Sequence, residues 1–229
     1  QRETTVAAGA LVSADATRRG DGGTVVVNSA ALTEMRGTVS AAGGPSGGDG
    51  GFVEISGQGQ FVFPDIASQV RLDAGAEGRT GTLLLDPRQI DIVAGAGSGL
   101  FADVTAGDPP ASGTLSLTNG QVNATSANLV LEATETINVN APINKTSGGL
   151  TLRTTTMGGT GVNINAGVTL PGIAILRLES PNAIAINAPI SVATGQLILA
   201  GGTITQAATG AALTTNLLTL RHGTPVTVK

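Results

Sequence analysis

Five short runs in the second half of the chain alternate leucine with a different residue, and they recur at near-constant spacing. They are Leu129/Leu131, Leu150/Leu152, Leu176/Leu178, Leu197/Leu199 and Leu218/Leu220. Three of the four steps between first leucines are equal, and only the one from Leu150 to Leu176 is longer. In a strand, positions i and i+2 point to the same side. The pattern therefore predicts one short strand per repeat, with both leucines in a core. Val130, Thr151, Arg177, Ile198 and Thr219 then face outward, an orientation that suits Arg177. A period of roughly 20 to 30 residues built on such strands marks a solenoid, in which each turn stacks on the one before.

A second ladder runs between the first. Ile137–Ile143, Val162–Val168 and Ile184–Ile190 each alternate apolar and polar residues and then reach an Asn-Ala step, at Asn140, Asn165 and Asn187. The step from Ile137 to Ile184 equals that from Leu129 to Leu176, so both ladders share one register. Asparagine tolerates the left-handed backbone of a sharp corner. Three of them stacked once per turn can also hydrogen-bond along the column, as amide ladders do in cross-β stacks. The expected role of Asn140, Asn165 and Asn187, and of the five leucine pairs, is structural. Weaker copies of the same step lie at Val122-Asn123-Ala124 and Thr205-Gln206-Ala207.

The first third follows a longer period. Gly20-Asp-Gly-Gly23 recurs as Gly48-Asp-Gly-Gly51, and each copy leads into a strand, Val25–Val27 and then Val53–Ile55. A third strand, Leu83–Leu85, follows Gly81 after a further step of similar length. Companion strands are expected at 10–14, 37–41 and 70–74. The chain thus divides into wide coils over 1–93, a turn-rich junction over 94–113 and narrow coils over 114–229. About ten coils at the ~4.8 Å spacing of paired strands make a single rod on the order of 50 Å long.

Composition narrows this further. Among 229 residues there are 34 glycines, four phenylalanines and no tryptophan, tyrosine or cysteine. A narrow solenoid core suits Val, Ile, Leu and Ala, and large rings overfill it. Without cysteine there is neither a disulfide framework nor a thiolate metal site. A net charge of -4 with no basic cluster argues against nucleic acid and anionic lipid. No apolar run approaches the length of a membrane span, so no membrane insertion is expected. Residues 1–20 show no signal-peptide pattern, and the chain is expected to be a mature form or an excised segment.

Gly47–Gly57 (GGDGGFVEISG), followed by Gly81–Pro87 (GTLLLDP) and Ile90-Asp-Ile92, resembles the large exoproteins of the filamentous haemagglutinin type. Those proteins leave Gram-negative bacteria by two-partner secretion. The resemblance covers residues 1–93, and the repeats of 113–228 are similar to the looser repeats that follow this segment in the family. It implies an all-β protein, a right-handed parallel β-helix (β-solenoid). It further implies a secreted, extracellular or cell-surface adhesin stalk or fibre, with an outer-membrane transporter as partner during export and a cell-surface receptor or glycan as target. The family's amino-terminal secretion domain with its Asn-Pro-Asn motifs is missing, and Ser180-Pro-Asn182 is a misplaced echo. The pattern shows no polar capping coil, so exposed strand edges are expected to support end-to-end self-association.

Other chemistry is thin. Arg19-Gly20-Asp21 spells a tripeptide that some adhesins offer to integrins, yet it lies inside the Gly-Asp-Gly-Gly repeat, whose aspartates are expected to accept backbone N–H groups at corners. Two copies so widely spaced do not make a calcium-binding nonapeptide array. Asp86, before Pro87, is expected to bond the amides of the loop after its strand. His222 is the sole histidine, which leaves no histidine metal site. Glu54, Asp65, Asp73, Glu77, Asp86 and Asp91 are scattered, and the aromatic platforms of sugar-cleaving clefts are missing. Neither an enzyme nor a cofactor is expected.

Overall fold

The computed structural model describes residues 2–57, 59–63, 65–95, 114–172 and 174–222. Within them twenty strands, every pair parallel, wind into a three-faced solenoid. The wide coils supply β1 (Glu3–Val6), β2 (Leu11–Ser13), β3 (Thr24–Ser29), β4 (Leu32–Met35), β5 (Thr38–Ser40), β6 (Phe52–Gly57), β7 (Gln60–Val62), the short helix α1 (Ile66–Gln69), β8 (Val70–Arg71) and β9 (Thr82–Asp86). Next come β10 (Gln89–Val93), β11 (Thr114–Thr118), the helix α2 (Asn119–Ala124) and β12 (Asn128–Ala133). The narrow coils supply β13 (Thr136–Val139), β14 (Ile143–Asn144), β15 (Leu150–Thr154), β16 (Gly161–Ile164), β17 (Val168–Thr169), β18 (Ile175–Ile186), β19 (Ile190–Gln206) and β20 (Leu213–His222). The last three run round corners and so serve more than one face.

The first face is one unbroken ladder through both halves. Val25, Val53, Leu83, Leu129, Leu150, Leu176, Leu197 and Leu218 pair in that order, and two positions further along each strand Val27, Ile55, Leu85, Leu131, Leu152, Leu178, Leu199 and Leu220 do the same. Eight rungs mean eight described turns, close to the ten expected; the wide coils and the junction consume more chain per turn. The second face holds β1-β4-β7 and then β10, β13, β16 and parts of β18 and β19. The third holds β2-β5-β8, then β14, β17 and parts of β19 and β20. The inward residues of all three form one apolar core reaching from Val6 to Ala211. Burial of this kind is the main favourable term in folding, and here each turn gains it only against its neighbours.

Three positions keep their predicted columns but differ from the rest in exposure. Leu218 and Leu220 remain 38% and 39% exposed, because β20 is the last described strand of the face and no described turn covers it. Ile198 faces outward as expected, yet it is only 5% exposed. It is absent from the core cluster and sits in the outward column, paired with Arg177 on one side and Thr219 on the other.

Two features interrupt the winding. β11 pairs with β10 on the edge opposite β13, so the chain after β10 returns on the earlier side of that strand before advancing. Residues 96–113, most of the expected junction, lie outside the described residues. On the third face a helix replaces a strand: α2 lies against β14, where the backbone N–H of Asn144 donates to Asn123 Oδ1 at 2.7 Å. The Val122-Asn123-Ala124 copy of the corner step is therefore helical. In an earlier turn α1, capped by Asp65 Oδ1 accepting from Ala67 N at 3.0 Å, precedes the short strand β8.

Candidate functional site

Each corner uses a different device, and these account for most of the motifs. At the Gly-Asp-Gly-Gly corner the aspartates are rungs. Asp21 Oδ1 accepts from the backbone N–H of Asp49, and Asp49 Oδ1 accepts from that of Arg79, each at 2.8 Å. The glycines allow the turns to approach. Gly48 has φ of +147°, and a Cβ there would lie 1.8 Å from the Gly20 carbonyl oxygen; one on Gly51 would lie 2.0 Å from that of Gly23. Arg19, Gly20 and Asp21 are exposed on this corner, with one Asp21 oxygen already held by the next turn.

The Asn-Ala corner carries an amide ladder. Asn165 Nδ2 donates to Asn140 Oδ1, and Asn187 Nδ2 donates to Asn165 Oδ1, both at 2.9 Å. The left-handed backbone expected there is not used: Glu77, with φ of 60°, is the sole non-glycine among the described residues at positive φ. The corner turns on ordinary dihedrals, and the side-chain amide is the reason for asparagine. The column stops at the next turn because Ala207 takes the asparagine's place, its N–H donating to Ile186 as Asn187 N–H does to Ile164. On the second face a parallel chain links Asn163 to Asn138 at 2.9 Å and Asn138 to Asp91 at 2.8 Å. Asn165→Ala breaks two exposed amide bonds and should cost about 1 kcal/mol, with its neighbours still folded. Urea midpoints of the two proteins measure this.

The first corner after the first face is the charged one. A groove of about 690 Å³ opens there, lined by Asn28, Glu54, Ser56, Asp86, Arg88 and Thr134 among others. Asp86 does not bond the loop amides as expected, and no described hydrogen bond uses its carboxylate. It is half-buried, and its pKa is pushed up to about 6, first by burial and then by the charges of Glu132 and Glu54. The nearby cations are engaged elsewhere. Arg88 Nη2 pairs with Glu135 at 2.7 Å, and its hydrogen bond, with that from Gln89, holds the Glu135 carboxyl below its usual range. Arg153 pairs with Glu132 and stands 4.0 Å from Glu179.

Lys145 is the residue that reasoning from motifs missed. It is 1% exposed, in the inward column continued by Leu170 and Val192. Its Nζ donates to the carbonyl of Thr125, which ends α2, and to that of Ser147 at 2.6 Å. Burial pushes its pKa down to about 8. Strand alternation from Ile143 was the available signal, since position 145 falls on the same side.

Among the described residues no three His, Asp or Glu side chains are grouped to hold a metal ion, and no helix is long and apolar enough to cross a membrane. Fold and corners together define a parallel β-solenoid with a repeat-built polar exterior. No protein-family model matches the chain, and no curated protein matches it either.

Proposed function

We propose that this chain is a structural and adhesive β-helical segment of a secreted bacterial surface exoprotein, a stalk or fibre that holds binding surfaces away from the cell. The observation that carries the reading is the single ladder of eight parallel turns over one continuous core. Such an object is extended and contacts itself only turn to turn, which serves spacing better than catalysis. The motifs at 47–57 and 81–87 lend the exoprotein part of the reading its support. They occupy the tight glycine corner and the strand that leads to the charged groove. On this reading the chain is not an enzyme, it is threaded by an outer-membrane transporter during export, and its target is a surface receptor or glycan.

A second reading, a subunit that stacks end to end into a filament, is favoured by the last described turn. Leu218 and Leu220 stay exposed there, on a described strand edge in the same columns that begin with Val25 and Val27, and Leu217 is exposed beside them. A head-to-tail contact that repeats without closing makes fibres. Negative-stain electron microscopy across a concentration series separates the two. Single short rods at all concentrations support the stalk, and long fibres of one width replace it with the filament. Compact globular particles would overturn both.

A further inference from the structure

Three carboxylates from three successive turns meet at the charged corner. Leu85 pairs with Ile55 and with Leu131, so the residues around it bring Asp86 between Glu54 and Ser56 on β6 and Glu132 on β12. Among the described residues, the neighbours of Asp86 supply no dedicated cation. From β15, Arg153 is the one positive charge that acts on Asp86, and it is bonded to Glu132. From the turn before β10, Arg88 is bonded to Glu135. Ser56 Oγ donates to Glu54 Oε1 at 3.0 Å and leaves Asp86 aside, while β3 offers only the uncharged Asn28 and Ser29 to the groove. An ionised Asp86 is thus half-buried, flanked by like charge and unsupported by a hydrogen bond. The site lies between β9 and β12, where the wide coils give way to the narrow ones.

We propose that this corner is a proton-operated clasp: Asp86 takes up a proton as the surroundings turn mildly acidic, and the seam between β9 and β12 tightens. The sign follows from linkage. The folded group ionises near 6 and the free one near 3.8, so between those values the fold holds a proton that the unfolded chain has released. Stability from this site therefore grows as pH falls through about 6, and it is lost as pH rises through that value. The protonated carboxyl also gains an O–H that can donate to Glu54 or Glu132. Other shifted groups act outside this window. Asp15 and Glu135 have lowered pKa values and matter only in stronger acid, and Lys145 titrates near 8.

The test is amide hydrogen exchange on the intact chain at pH 5.0 and 7.5, expressed as protection factors so that the intrinsic pH effect cancels. Amides of β9 and β12 are expected to be three- to tenfold better protected at pH 5.0, while those of β18 change little. In Asp86→Asn the seam should show the acid level of protection at both pH values. Asp86→Asn alters this one titratable group and keeps every other, so the difference between the two proteins isolates Asp86. Glu54→Gln supplies a second check by moving the midpoint of the transition to lower pH. Equal protection at both pH values in the native chain, or an unchanged pH response in Asp86→Asn, overturns the clasp.

Discussion

Leu152→Asp should abolish the stacked fold, whereas Thr151→Asp, at the adjacent position, should leave it intact. Leu152 has no exposed surface and lies between Leu131 and Leu178 in the inward column of the first face. A carboxylate there would lie between two leucines and must either stay charged or take up a proton. Both cost several kcal/mol, on top of about 2 kcal/mol for the lost burial of leucine. In a solenoid that loss removes the platform on which both adjoining turns rest. Thr151 lies in the outward column between Val130 and Arg177, and an aspartate there gains a neighbouring guanidinium, so its effect should stay within about 0.5 kcal/mol. Far-UV circular dichroism with urea measures both. Equal tolerance at the two positions would remove the inward assignment of the leucine columns.

Lys145→Ala should cost about 2–4 kcal/mol, an effect far beyond that of a solvated surface lysine. Replacing it leaves the buried carbonyl of Thr125 and the more open one of Ser147 without their donor and opens space in the core beside Leu170. The lysine is present because α2 stands where a strand would otherwise bond β14, and a helix end needs a donor for its last carbonyls. Its pH dependence has a definite sign. The folded pKa, near 8, lies below the free value of 10.5, so the fold prefers the neutral amine. Stability from this group therefore rises as pH increases from about 8 toward 10.5, and the neutral amine keeps two N–H donors for the two carbonyls. The native chain should become harder to unfold by urea between pH 8 and 10, and Lys145→Ala should lack that gain. A fall in stability over this range, seen in the native chain alone, would refute the buried-amine account.

Much of the architecture is legible in the sequence because a solenoid makes each residue's environment repeat. Leu129, Leu150, Leu176, Leu197 and Leu218 pair in the order their spacing predicts, and Val25, Val53 and Leu83 extend the column through coils of a different length. The asparagine column and the aspartate rungs are legible for the same reason. What repeats can be counted. The charged groove was not legible, since Glu54, Asp86 and Glu132 lie far apart along the chain and belong to no common motif. Only the register of β6, β9 and β12 puts them together. Lys145 was masked differently: a lysine reads as surface until the carbonyls it serves are known.

Alternation with a fixed period thus determined, by itself, that the chain winds in parallel turns around a narrow aliphatic core. The physical reason is local, because a strand's side chains alternate whatever lies next to it, and stacking is the one way to bury a face repeated every turn. Tertiary structure alone decided where the winding fails. It placed β11 on the earlier side of β10, set a helix into the third face with Lys145 to serve its end, and left Asp86 among like charges. Those outcomes depend on which backbone and side-chain groups meet across turns, and that is a property of the assembled stack.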